Sequence, residues 1–257
     1  MKEDSFMSVY GIYFSGTNQT KKVVDHIVTT ITSHPNFYNL GKSDLTPITF
    51  DQDDLCIIGV PSYGGRVPSI ALERLQLFKG NKTPAITITT YGNRHYDDTL
   101  IELNDLMTSL NFIVIGAIAA IGEHSIVHEF AYQRPNSNDY KELTQYGLLL
   151  KEKWLNKNYS TIHVPGNRPY RDHPKIIVHT LLKDTCHQCG LCAKECPVNA
   201  IDEKQFDKID LERCVSCMHC VSVCPNQSRI IDPQEIEHTR NKIAKQCETE
   251  KENELFI

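Results

Sequence analysis

The first 185 residues of this chain hold a single cysteine, Cys56, and only one more, Cys247, lies beyond residue 224. A disulfide framework is therefore excluded for most of the length, and 257 residues can bury a core without such staples. Long apolar runs are also missing. The longest, FIVIGAIAAIG from Phe112, is too short to cross a bilayer. The opening MKEDSFMSVYGIYF carries acidic residues in its first positions, and its apolar run ends in a polar glycine loop, so no signal peptide and a cytoplasmic location are expected. No Lys/Arg stripe accompanies the mild net charge of -5, which argues against nucleic acid as a partner. A G-x-G-x-x-G fingerprint is absent, so direct use of a nicotinamide nucleotide is not indicated. No Ser-His-Asp or paired-carboxylate constellation stands out either, and no catalytic residue is assigned.

What is present is concentrated at the far end. Eight of the ten cysteines fall in two runs, CHQCGLCAKECP from Cys186 and CVSCMHCVSVCP from Cys214, which repeat Cys-x-x-Cys-x-x-Cys-x-x-x-Cys-Pro at an offset of 28 residues. In a reducing compartment such clusters are metal ligands more often than disulfides. Three thiolates two residues apart can wrap three corners of an iron-sulfur cube, while the fourth, past a short helical step, points elsewhere. Zinc usually takes separated pairs, so a pair of zinc sites is the poorer reading. His187 and His219 read as exposed loop residues. The segment resembles the bacterial two-cluster ferredoxins, in which the fourth cysteine ligates the other cluster. That resemblance implies one 4Fe-4S cube on Cys186, Cys189, Cys192 and Cys224, and a second on Cys214, Cys217, Cys220 and Cys196. So short a region has little core, and its clusters would supply much of its folding free energy.

The front reads differently. SVYGIYF is a β-rich run leading into SGTNQT and then a helical pattern with Val24, Ile27, Val28 and Ile31 on one face, ended near Pro35. Further apolar runs at 55–60, 85–90 and 112–121 alternate with amphipathic segments at 70–78, 97–110 and 138–154, and a weaker fifth strand is expected at 46–50. Alternation of this kind predicts an α/β fold, a parallel sheet covered on both faces. Cys56 reads as a small hydrophobe in a buried strand.

Ligands of such sheets bind beyond the carboxyl ends of the strands, and three loops end there. Ser15, Gly16, Thr17, Asn18, Gln19 and Thr20 open a helix, whose N-terminus receives a phosphate without Lys or Arg. Pro61, Ser62, Tyr63, Gly64, Gly65 and Arg66 offer close backbone approach and a stacking ring. The third loop runs through Tyr91, Gly92, Asn93, Arg94, His95, Tyr96 and Asp97. A phosphate cradle with two aromatic, glycine-bearing loops describes a flavin mononucleotide site. Glu123-His124-Ser125 reads as a polar cluster held against the sheet end, and Arg66 and Arg94 could meet an anion.

Through YFSGTNQT, GVPSYGGRVP, TTYGNRHYDD, IGEHS and VPGNRPYRDHP, together with the cysteines, the sequence is similar over its full length to the flavodoxin-ferredoxin fusions of anaerobic microbes, the EFR-family ferredoxins. The resemblance implies a doubly wound five-stranded parallel sheet of order 2-1-3-4-5 over 1–156, a Pro-containing linker over 157–178, a small α+β ferredoxin domain over 179–233, and a charged, helical tail over 234–257. It places Ser15, Thr17 and Thr20 on the FMN phosphate, and Tyr63, Gly64, Tyr91, Gly92, Asn93 and Tyr96 around the isoalloxazine ring. One departure is visible: Asn18-Gln19 stand where the family carries glycine and asparagine. Asn tolerates left-handed backbone better than other non-glycine residues.

Two 4Fe-4S clusters joined to FMN make a low-potential electron carrier between one-electron and two-electron redox proteins. The alternatives are an FMN-dependent reductase of a small molecule with the ferredoxin part as built-in donor, and a front domain without flavin that serves only for docking.

Overall fold

The computed structural model describes residues 7–173 and 176–257; the acidic first positions and Pro174 of the linker lie outside them. Val9–Tyr13 forms β1 and leads through a loop into α1 (Gln19–Ile31), which buries Val23, Val24, Ile27, Val28 and Ile31. The fold continues through β2 (Pro35–Asn39), β3 (Ile48–Thr49), β4 (Leu55–Pro61), α2 (Ser69–Leu75), β5 (Phe78–Lys79), β6 (Thr83–Tyr91), α3 (Thr99–Ser109), β7 (Phe112–Ile121) and α4 (Ser137–Leu155). Strands β2, β1, β4, β6 and β7 lie side by side in that order, every pair parallel. This is the flavodoxin-like order, with its switch point between β1 and β4. The central strands form because both of their faces are covered: β4 is apolar and buried at all but its last position, and β6, β-branched at most positions with buried Thr83, Thr87, Thr89 and Thr90, is buried at every one. On one face Val24, Ile27, Ile57 and Ile86 pack with Leu143 and Trp154 of α4; on the other, Phe14, Ile58 and Val60 pack with Leu75, Leu103 and Met107.

The expected strand at 46–50 is not in this sheet. The edge is taken by Pro35–Asn39, and Ile48–Thr49 pairs instead with Phe78–Lys79 in a separate two-stranded ladder. The cause is Phe50, 2% exposed, whose ring joins Tyr10, Tyr38, Phe78 and Phe112 and draws the segment onto the face of the sheet. Pro35 ends nothing but the loop; as the first residue of an edge strand it forfeits no ladder bond that matters.

The cysteine-rich part contains β8 (Thr180–Leu182), α5 (Leu191–Lys194), α6 (His219–Ser222) and β9 (Arg229–Ile231), with β8 antiparallel to β9. Its backbone keeps the 28-residue repeat. Left-handed residues recur in pairs at Gln188 and Ser216, Gly190 and Met218, and Asn199 and Gln227. Of the tail expected to be helical, α7 (Pro233–Cys247) is a helix, and β10 (Glu254–Phe256) then adds a sixth strand antiparallel to β7. Among the described residues no helix is long and apolar enough to cross a membrane.

Both ends of the cysteine-rich part are thus fastened to the α/β unit. Along the linker, Asn167 donates from its backbone N and Nδ2 to Asp98 Oδ1 (2.8 and 3.0 Å), and Arg171 N donates to Asp98 Oδ2 (2.7 Å). Burial pushes the Asp98 carboxyl up, but these donors outweigh it and hold it below the usual range. Arg168 grips Asp105 through two bonds of 2.8 and 2.6 Å. At the tail, Asn253 accepts from Ile121 N (2.9 Å) and donates to Asp139 Oδ1 (2.9 Å) and Glu142 Oε2 (2.6 Å) while 5% exposed. Asn253→Ala strands the buried Ile121 N–H, while Asp139 Oδ1 keeps Arg134 and Glu142 is half-buried, so the cost is about 1–3 kcal/mol for the one stranded group. The variant is expected to unfold at a clearly lower urea midpoint, followed by circular dichroism under anaerobic conditions.

Candidate cofactor cleft and cysteine module

Four loops at the carboxyl edge of β1, β4, β6 and β7 line one half-open cleft: Ser15–Thr20 without Asn18, Pro61–Gly64, Thr90–His95 without Asn93, and Gly122–Ser125. Three were expected; the fourth is the IGEHS stretch. The phosphate loop fits an anion. Asn18 adopts φ 65° and ψ 0°, the left-handed turn that a glycine would otherwise supply; its own side chain makes no cap bond, and the first turn of α1 holds no acidic residue. Its open N–H groups and positive dipole end therefore face the cleft. Ser15 Oγ is already an acceptor for Lys21 N (3.2 Å), and Thr20 Oγ1 pairs with Thr90 Oγ1 (2.7 Å) in a buried contact. Thr20 thus braces the loop, and the backbone with Thr17 is left to receive a phosphate.

Of the third loop, Tyr91 and Gly92 line the cleft whereas Asn93, Tyr96 and Asp97 do not, and the tail holds several of these side chains. Tyr91 is 5% exposed, packs edge-on against Tyr96, and its hydroxyl reaches Glu252 O (3.4 Å) beneath the tail. Tyr96, 2% exposed, belongs to the same small core. Asn93 clamps the tail: Nδ2 donates to Cys247 O (2.9 Å) and Thr249 O (3.1 Å), and Oδ1 accepts from Lys251 N (2.9 Å). Asp97 pairs with Arg94 and Arg171 and backs Gly65, whose φ of 86° and lack of a Cβ the turn requires. Of the three tyrosines expected around the ring, only half-buried Tyr63 borders the cleft with its ring outside that core. Arg66 is spent on Glu102 through bonds of 2.8 and 2.6 Å and on the Tyr170 ring, leaving Arg94 as the cleft's arginine.

His124 has a structural task. Its Nδ1 accepts from Ile126 N (3.2 Å) and Val127 N (3.0 Å), which requires the neutral ring. Burial first, then the charges of His128 and Arg94, lower its pKa to about 4.

The cysteine module sits directly against this cleft. A Cβ on Gly16 would run into the Cys217 carbonyl, so only glycine allows the approach. From the other side His219 Nδ1 and Ser222 Oγ each reach Gly16 O at 2.9 Å, and Tyr63 Oη donates toward Cys217 O at 3.5 Å. Arg74 bridges Leu40 O (2.5 Å) and Pro197 O (2.7 Å), and Cys217, Val198 and Val215 extend the core of the α/β unit. His219, expected as a bystander, is an interface residue.

Within the module, Cys196 from the first run lies among the second. The Cys217 thiol is pushed up to about 12, first by burial and then, against an N–H from His219, by the neighbouring Cys220, Cys196 and Cys214. Burial likewise pushes Cys220 up to about 11. Buried thiols of this kind ionise only against a cation, which iron provides. Cys196 Sγ accepts from Ala200 N (3.3 Å) and Cys224 Sγ from Ser228 N (3.2 Å), the same bond 28 residues apart. Among the described residues no three His, Cys, Asp or Glu side chains converge on a single ion. Two triplets of thiols at one repeat spacing, each with a trailing Cys-Pro, fit iron-sulfur clusters better than zinc, which usually takes separated pairs.

The comparisons bear on both parts. Residues 185–229 match the 4Fe-4S dicluster domain family. The same end resembles one component of the polysulfide reductase of Wolinella succinogenes (33% identical over 55 residues, 20% of this chain and 29% of that protein). It also resembles one component of the ion-translocating oxidoreductase complex of Methanosarcina acetivorans (43% over 44 residues, 17% of each). The match therefore spans less than a third of either relative. Among solved structures, the rubredoxin oxygen:oxidoreductase of Desulfovibrio gigas aligns at TM-score 0.43 and 12% identity over 60% of this chain and 37% of that one. An archaeal flavodoxin aligns at 0.40 and 14% over 58% and 99%. Sheet topology and the matched cysteine segment together define a flavodoxin-like domain fused to an iron-sulfur ferredoxin domain. The chain thus joins a flavodoxin-like α/β fold to a segment that matches the 4Fe-4S dicluster domain family.

Gly16→Ala is expected to push the Cys217 loop off the cleft. Faster backbone hydrogen exchange across 214–222, with the iron content retained, is the result that checks it.

Proposed function

We propose that this protein moves electrons within one polypeptide between two 4Fe-4S clusters and an FMN in the cleft, as a low-potential carrier coupling one-electron and two-electron partners. The reading rests on the Cys217 loop lying against the phosphate loop, with His219 and Ser222 bonded to Gly16 O. A 4Fe-4S cube passes single electrons, whereas FMN stores one or two. The protein's own residues bind and orient. Gly16, Thr17 and the first turn of α1 take the phosphate, while Tyr63 and Gly64 border the ring. The set Cys196, Cys214, Cys217 and Cys220 faces the cleft through buried Cys217, and the set containing exposed Cys189 faces outward, where a redox protein would dock.

The test begins with protein reconstituted anaerobically with iron, sulfide and FMN, then gel-filtered. About one FMN and about eight iron per chain are expected, the content of two cubes. Full iron with no retained flavin would sink the relay and leave a ferredoxin with a docking domain. His219→Ala and Ser222→Ala each remove a bond of about 1 kcal/mol at the seat. Together they are expected to leave iron and flavin content intact and to slow flavin reduction after rapid reduction of the clusters, measured by stopped-flow absorbance.

A further inference from the structure

Arg229 is the largest fully buried side chain among the described residues, at 1% exposure. Arginine is almost never so buried without a paired charge. Here Nη1 donates to Thr180 Oγ1 (2.9 Å) and Nη2 to the Phe206 carbonyl, both neutral, while Nε is buried with no hydrogen-bond partner. Among the described residues no carboxylate pairs with it. A guanidinium held this way, with one N–H left open, is a cation waiting for an anion.

The available anions are the cysteine sulfurs. Arg229 stands five residues beyond Cys224, at the start of β9, and its anchor Thr180 borders the apolar cavity that Cys196, Cys214 and Cys220 line. Its neighbour in the chain, Ser228, donates its backbone N–H to Cys224 Sγ (3.2 Å), so the start of β9 lies against one ligand set while Thr180 borders the cavity of the other. The internal repeat sharpens the point. Twenty-eight residues earlier the equivalent position is Ile201, buried and apolar, so the module carries this cation in one half only.

We propose that Arg229 is a built-in counter-charge for the iron-sulfur clusters, a positioning residue whose fixed guanidinium and open Nε–H favour the reduced state and raise the reduction potential of the cluster or clusters beside it. Uptake of one electron adds one negative charge to a cluster, and a neighbouring cation in a poorly screened interior stabilises that state over the oxidised one. The inference rests on the cysteines holding clusters, and the experiment separates the two.

The reconstituted full-length protein and its Arg229→Gln and Arg229→Lys variants would be assayed for iron and titrated with dithionite under EPR detection. Wild-type protein without iron would overturn the cluster reading itself. With iron retained, Arg229→Gln is expected to lower at least one cluster's one-electron reduction constant tenfold or more, about 59 mV, while Arg229→Lys stays closer to wild type. Unchanged potentials in Arg229→Gln with full iron would overturn the counter-charge. If Arg229→Gln cannot hold iron, the lysine variant decides: iron and potentials near wild type support a role for the charge, and equal loss shows that only the shape of arginine matters.

Discussion

The relation between the two halves depends on a missing side chain. With no Cβ at Gly16, the backbone of the Cys217 loop rests on the loop that opens α1, and His219 and Ser222 can reach the Gly16 carbonyl from the far side. That single approach makes the hydrophobic interior continuous, since Cys217, Val198 and Val215 pack with Phe14, Val60 and Ile70. It also decides which thiols are dry. A glycine demanded here by a neighbouring domain sits in the same loop that a phosphate would occupy, so one residue answers to two requirements.

A contact of this size would hold poorly on a free tether. Here neither end of the module is free: the linker is fixed to α3 through Asp98 and Asp105, and the tail returns as a strand beside β7. Arg240 adds a fork onto Glu129 with bonds of 2.7 and 3.0 Å, but at an exposed site where ion pairs contribute little. The buried fasteners, Asp98 and Asn253, carry more because their partners have no water to fall back on. Closing the module at both ends lowers the entropy that docking must overcome.

The legible parts of the sequence were those whose signal is local. The cysteine repeat announces an iron-sulfur segment by its spacing, and residues 185–229 match the 4Fe-4S dicluster domain family. The central strands declare themselves by apolar and β-branched runs, and Asn18 by its tolerance of left-handed backbone, which the loop adopts. Less legible was β2, because PNFYN is a half-exposed edge with no apolar run, whereas 46–50 looks more strand-like and is diverted by the burial of Phe50. The family resemblance implies that Tyr91, Asn93 and Tyr96 surround the ring. What claims them is the tail, more than 150 residues further on, and no local pattern announces a distant segment arriving to cover a loop. Arg229 gave no signal at all: its place in the repeat is marked only by contrast with Ile201.

The repeat has a consequence of its own. Cys189 and Cys217 hold the same position in successive halves, yet one is exposed and the other buried. A module of two near-equal halves, attached by one of them, acquires an inside and an outside. Oxidants and chelators in solution can reach Cys189 directly, whereas Cys217 is covered by the α/β unit. Asymmetry of wear, as well as asymmetry of traffic, is written into a protein whose ligand spacing alone would make the two ends equal.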